Sequence, residues 1–120
     1  MRQHVVRAAA GRTMATRERC TIRELVNAPS IDAFSLAEAR VAPGVTTERH
    51  RLPVDEWYIV SGGEGIVEVH DDREPVRAGD VVAIPAGAPQ RITNTGRDDL
   101  VFLCLCLPRF TPDAYEPLEE

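Results

Sequence analysis

Lysine is absent from this chain of 120 residues, and all fourteen of its basic side chains are arginine. That excludes Schiff-base catalysis and lysine general bases, and it excludes a phosphate-cradling loop of the G-x-x-x-x-G-K type. Serine occurs only at positions 30, 35 and 61, with no G-x-S-x-G elbow to present a hydrolase nucleophile. Long apolar runs are missing too. The longest, Leu100 to Leu107, is far below the roughly 20 residues that span a bilayer, and the N-terminus shows no signal-peptide h-region. Cys20, Cys104 and Cys106 are odd in number and form no C-x-x-C pair, which fits a reducing compartment better than a disulfide framework. The expectation is a soluble cytoplasmic protein.

Nineteen acidic residues set the net charge at -5, and no basic stripe runs along an element beyond the N-terminal segment. Neither nucleic acid nor a membrane is therefore expected as a partner. The length suits one domain. Residues 1–19 read as a flexible tail, because their arginines and the small-residue run Ala8 to Gly11 offer no apolar face; an arginine-rich targeting segment, or a start at Met14, stays open. Residues 20–110 form the expected folded domain and 111–120 a short extension.

From Cys20 onward the pattern is of short strands. Ala33 to Ala42, Glu56 to Ser61, Gly65 to His70, Val81 to Pro85, Gln90 to Thr93 and Leu100 to Leu107 are separated by Gly, Pro, Asn and Asp clusters. This predicts an all-β fold, an antiparallel sandwich or barrel. Helix signals are weak; the best is Thr111 to Glu119, where Thr111 is placed to cap and Pro112 to occupy the first position.

Two motifs carry the most information. In the first, Gly44 is followed by His50, Leu52, Glu56 and Gly63; in the second, Gly79 is followed by Pro85-Ala86-Gly87, Gln90 and Asn94. Both resemble the paired motifs of the cupin superfamily, over roughly residues 33 to 108. The resemblance implies a small antiparallel jelly-roll barrel, the cupin double-stranded β-helix, whose inward side chains hold a metal ion. Where the family usually has three histidines and a glutamate, this chain offers His50, Leu52, Glu56 and Gln90. His50 and Glu56 match ligand positions in type, Gln90 matches in place only, and Leu52 departs.

Strand periodicity puts His50 with Leu52, Glu56 with Tyr58, and Gln90 with Ile92 on shared faces. With the resemblance, those faces become the barrel interior. His50, Glu56 and Gln90 then form a weak divalent-metal site for Zn, Mn, Fe, Ni or Cu, completed by water. No organic cofactor is implied. Plainer readings stand beside this one: His50 as a core histidine bonded to Glu56, Gln90 as an internal hydrogen-bond bridge, and Tyr58 as a packed aromatic with a paired hydroxyl. Trp57 reads as a core or interface anchor, and His70 as an exposed turn residue. His4 becomes a ligand only if the tail folds back. Cys104 and Cys106 read as inert core, with completion of a metal site as the alternative.

Three functions remain open. The first is Lewis-acid isomerase or cyclase chemistry on a carbonyl or enol substrate at the metal. A second is metal-free acid–base catalysis, with His50 as base oriented by Glu56 and Tyr58 as acid. The third is a ligand-binding or sensing module without turnover. All three take a small molecule as partner. Apolar sheet edges and the resemblance together imply a homodimer, with Thr21 to Val26 as a strand open to exchange.

Overall fold

The computed structural model describes residues 4–7 and 13–119. Eleven strands follow in chain order: β1 Thr13–Ala15, β2 Thr21–Val26, β3 Ser35–Val41, β4 His50–Arg51, β5 Asp55–Gly62, β6 Glu64–Val69, β7 Asp72–Arg77, β8 Val81–Ile84, β9 Gln90–Asn94, β10 Leu100–Leu107 and β11 Glu116–Pro117. One sheet has the order β1-β2-β3-β10-β5-β8 and the other β11-β4-β9-β6-β7, with antiparallel pairing throughout. The two sheets close over a core that includes Val41, Val60, Ile92, Leu100 and Phe102.

Alternation decides which side chains enter that core. On β10, Phe102 and Cys106 turn inward while Val101, Leu103 and Leu105 are half-buried on the outer side. Cross-strand register then stacks Cys106 beside Glu56 and Cys104 beside Tyr58 on the inner face. The hairpin between β5 and β6 turns at Gly63, whose φ of +81° suits glycine and where a Cβ would come within 2.6 Å of the Asp99 carbonyl. Asn94 fixes the last reversal: its amide donates to the Val41 and Asp98 carbonyls at 2.8 Å each, and its oxygen accepts from Gly96 N–H at 2.8 Å.

Three expectations change. Residues 13–19, read as part of a tail, are built into the fold: β1 pairs with β2, and Arg17 reaches Glu48 through bonds of 3.0 and 3.1 Å. Composition concealed this because the segment is held by ion pairs and strand pairing rather than by an apolar face. Thr111 to Glu119 is not a helix. Pro112–Ala114 makes one 3-10 turn without a side-chain cap from Thr111, and Glu116–Pro117 then pairs with β4. Charged Asp72–Arg77 forms β7, a strand hidden in the sequence because Val76 alone among its residues is buried. Thr21–Val26 pairs with β3 of its own chain.

The segment after β1 meets the C-terminal segment. Arg19 donates to Glu119 at 3.1 and 2.9 Å, and Glu119 in turn accepts from Arg49 N–H at 2.7 Å. Among the described residues no helix is long and apolar enough to cross a membrane.

Candidate functional site

One cavity of about 240 Å³ lies between the inner face of the first sheet and the two terminal segments. His50, Leu52, Glu56 and Tyr58 all line it, as do Cys104 and Cys106. Glu18 enters from the N-terminal segment and Tyr115 from the C-terminal one.

His50 is buried and held on three sides. Its Nδ1 lies 2.8 Å from the Glu48 carbonyl, and since a carbonyl only accepts, Nδ1 carries the proton and a neutral ring offers Nε2 as its basic atom. Tyr115 stacks on the ring with centroids 4.6 Å apart and an interplanar angle of 18°. The remaining nitrogen, Nε2, is 3.8 Å from Glu18 Oε1. Glu56 was the partner the sequence suggested for His50; Glu48 and Glu18 take that place.

Glu56 belongs to a different chain of bonds. Tyr58 donates its hydroxyl to Gln90 Oε1, and Gln90 Nε2 donates to Glu56 Oε1 at 2.9 Å. Cys106 Sγ stands 3.7 Å from Glu56 Oε2. Burial pushes the Glu56 carboxyl up to about 7, while the bonds from Gln90 and Cys106 pull it down. Burial raises Glu18 too, with His50 acting against it. The same cause lifts the Tyr58 hydroxyl and the Cys104 thiol well above their ordinary values and the Cys106 thiol to about 12, so none of the three is ionised near neutrality.

Glu48 ties the two terminal segments to the barrel. Arg17 and the Tyr115 hydroxyl both donate to its carboxylate, the latter at 2.6 Å, and these bonds hold Glu48 below the usual range for a carboxylic acid.

A jelly roll of two antiparallel sheets is the architecture the paired motifs implied. The sequence matches the Cupin domain family over residues 37–106. The chain is a member of that family. The chain is similar to an uncharacterised protein of Methanocaldococcus jannaschii, 33% identical over 108 residues, which are 87% of this chain and 86% of the relative. A Thermotoga maritima structure described as a predicted oxalate decarboxylase superposes with a TM-score of 0.76 at 25% identity, covering 87% of this cupin and 98% of that chain. The polyketide cyclase RemF of Streptomyces resistomycificus superposes with a TM-score of 0.82 at 24% identity, covering 100% and 87% respectively.

At the family's ligand positions this cupin places His50, Leu52, Glu56 and Gln90. Gln90 sits directly opposite His50 across β4 and β9, yet both atoms of its amide are engaged with Tyr58 and Glu56, and it does not line the cavity. Leu52 supplies no donor. Among the described residues no group of three or more His, Cys, Asp and Glu side chains is arranged to hold a metal ion. Of the four side chains at the family's ligand positions, His50 and Glu56 are therefore the two that bring a donor atom to the cavity.

Ile92, which shares the inward face of Gln90, lies fully buried in the core and does not line the cavity. Glu18, Glu48 and Tyr115 are the site residues that sequence reasoning missed. The available signals were slight: Glu18 is the single acid of an arginine-bearing segment, and Tyr115 the single aromatic after Phe110.

Proposed function

We propose that this cupin binds a small molecule in the barrel cavity and moves protons on it without a metal. The observation that carries the reading is Gln90, whose amide bridges Tyr58 and Glu56 where the resemblance implied a metal ligand. Nε2 of His50 is the base, its tautomer set by the Glu48 carbonyl. Glu56 is the acid, because a buried carboxyl lifted toward neutrality keeps a proton to give. Tyr58 is better suited to hold Gln90 than to act as the acid, since its hydroxyl is already donated.

On an enolisable carbonyl compound the step balances as follows. His50 Nε2 takes the proton from the carbon beside the carbonyl, the C–H electron pair becomes the C=C bond, and the carbonyl oxygen receives the Glu56 proton. Where the enol is conjugated to a second double bond, His50 returns its proton to the far carbon of the conjugated system while the enol hydroxyl gives its proton back to Glu56, which restores the carbonyl and both side chains and completes an isomerisation. Oxalate, the substrate in the description of the Thermotoga maritima structure, is a poor match for a cavity lined by carboxyl groups.

Homodimerisation and a cytoplasmic setting belong to the same proposal. The three cysteines are free thiols, and the outer face of the first sheet carries an apolar stripe in which Leu105 neighbours Trp57 and Leu103 neighbours Ile59.

The test uses tag-free full-length protein and 2-tetralone in deuterium oxide. Exchange at the carbons beside the carbonyl is expected, unchanged by chelator and reduced by about 10²-fold or more in His50→Ala. Elemental mass spectrometry should find metal well below one equivalent after reconstitution with manganese, iron, nickel, copper or zinc. A stoichiometric ion abolished by His50→Ala and Glu56→Ala would overturn the reading in favour of Lewis-acid chemistry.

A further inference from the structure

The lining of the cavity has a charge pattern that acid–base chemistry alone does not explain. Among the described residues no arginine lines it, and the chain has no lysine, so His50 is its one side chain able to become cationic. Glu18, Glu24 and Glu56 bring carboxyl groups to the same space. Much of the remaining wall is apolar, including Leu52, Phe102 and Phe110. Arginines near the site are directed elsewhere: Arg17 to Glu48, Arg23 to Glu38 and Arg19 to Glu119.

A ligand carrying a carboxylate or phosphate would lose its hydration on entry and find no guanidinium in exchange. The nitrogen best placed to receive it, His50 Nε2, already faces Glu18 at 3.8 Å. Coulomb repulsion from an ionised Glu18 or Glu56 adds to that loss, and a protonated one supplies no positive charge. The volume, about 240 Å³, lies below the roughly 300–1,000 Å³ of pockets for drug-sized ligands. A compact ring system is the right scale.

We propose that the cavity selects an uncharged, mainly apolar small molecule, and that Glu18 and Glu56 are the specificity-determining residues that reject its carboxylate analogues. The proposal rests on the acid–base reading in placing the ligand beside His50. It is tested by binding rather than by turnover, so its failure and that of the proposed chemistry are separable.

Three probes with one ring system make the comparison: 2-naphthol, 2-naphthoate and 2-naphthylmethylammonium, titrated calorimetrically into the full chain at neutral pH. Naphthol is expected to bind at least about tenfold more tightly than naphthoate, a gap of about 1.4 kcal/mol. Glu18→Gln/Glu56→Gln should narrow that gap by admitting naphthoate, and Glu18→Gln alone should narrow it in part, which serves where the double variant does not fold. Ala37→Phe, which fills the cavity from β3, should abolish naphthol binding in protein whose circular dichroism is unchanged. Naphthoate binding as tightly as naphthol overturns the proposal, as does an ammonium probe that binds best, a gap that the Gln variants leave intact, or the absence of binding by all three.

Discussion

Gln90 donates to Glu56 at 2.9 Å while accepting the Tyr58 hydroxyl, so one neutral amide satisfies two buried polar groups on β5. Gln90→Leu would strand both. Removing one partner of a buried pair typically costs about 1–3 kcal/mol, and here two groups lose it. Urea unfolding should show a loss at or above that range, whereas a loss near zero would mean the bridge contributes nothing to folding.

Restoring the two departed ligand positions is expected to create a metal centre. Leu52→His/Gln90→His places imidazoles beside His50 and Glu56 and removes the amide that occupies the bridge. Elemental analysis should then find close to one equivalent of zinc or manganese, with a melting temperature that falls on chelation. Without metal the variant should be less stable than wild type, because Leu52 is only 4% exposed and its replacement is polar.

The pH dependence of stability follows from Glu56. Its carboxyl is raised from 4.5 to about 7 by burial, so the folded chain holds the proton more tightly than the unfolded one. The resulting stabilisation is fully present below pH 4.5 and is lost as pH rises through 7, by something of order 3 kcal/mol. Glu18 acts in the same sense. Glu48, Glu68 and Glu119, all held low by hydrogen bonds, act in the opposite one and lose their contribution as pH falls. Subtracting a Glu56→Gln profile from that of wild type isolates the first effect; parallel profiles would rule it out.

Glu48 should control access to the cavity. Glu48→Ala removes the acceptor shared by Arg17 and Tyr115, and hydrogen exchange is expected to quicken in residues 16–20 and 112–118 while β5 and β10 stay protected. Uniform quickening across the barrel would mean that Glu48 supports the whole fold instead.

On the outer face, Trp57 is 40% exposed and Val81 58%, and Ile59 lies beside Val81 in the register of β5 and β8. Such a stripe is expected to pair with a second copy. Light scattering should give twice the mass of one chain at micromolar concentration, and Trp57→Glu/Leu105→Glu should halve it without altering the circular dichroism.

The barrel was legible because its signals are local. Gly63 turns at the required φ, Asn94 bonds to the backbone around its own loop, and β5 and β10 alternate or run apolar as strands do. Glu56 and Tyr58 could be assigned to one face for the same reason. The surroundings of His50 were hidden because they come from residues 18, 48 and 115, which no periodicity links. Gln90 could be placed but not interpreted: its partners are 32 and 34 positions away, and only their distances distinguish a bridge from a metal donor. Polar β7 gave no pattern at all, since its pairing with β6 is a backbone matter.

Arg19 and Glu119 are 100 positions apart in the chain yet in contact. Because Met14, Thr16 and Glu18 wall the cavity on the N-terminal side of that contact, a chain shortened to begin at Arg19 would lose one wall of the cavity, and with it the carboxyl that faces His50.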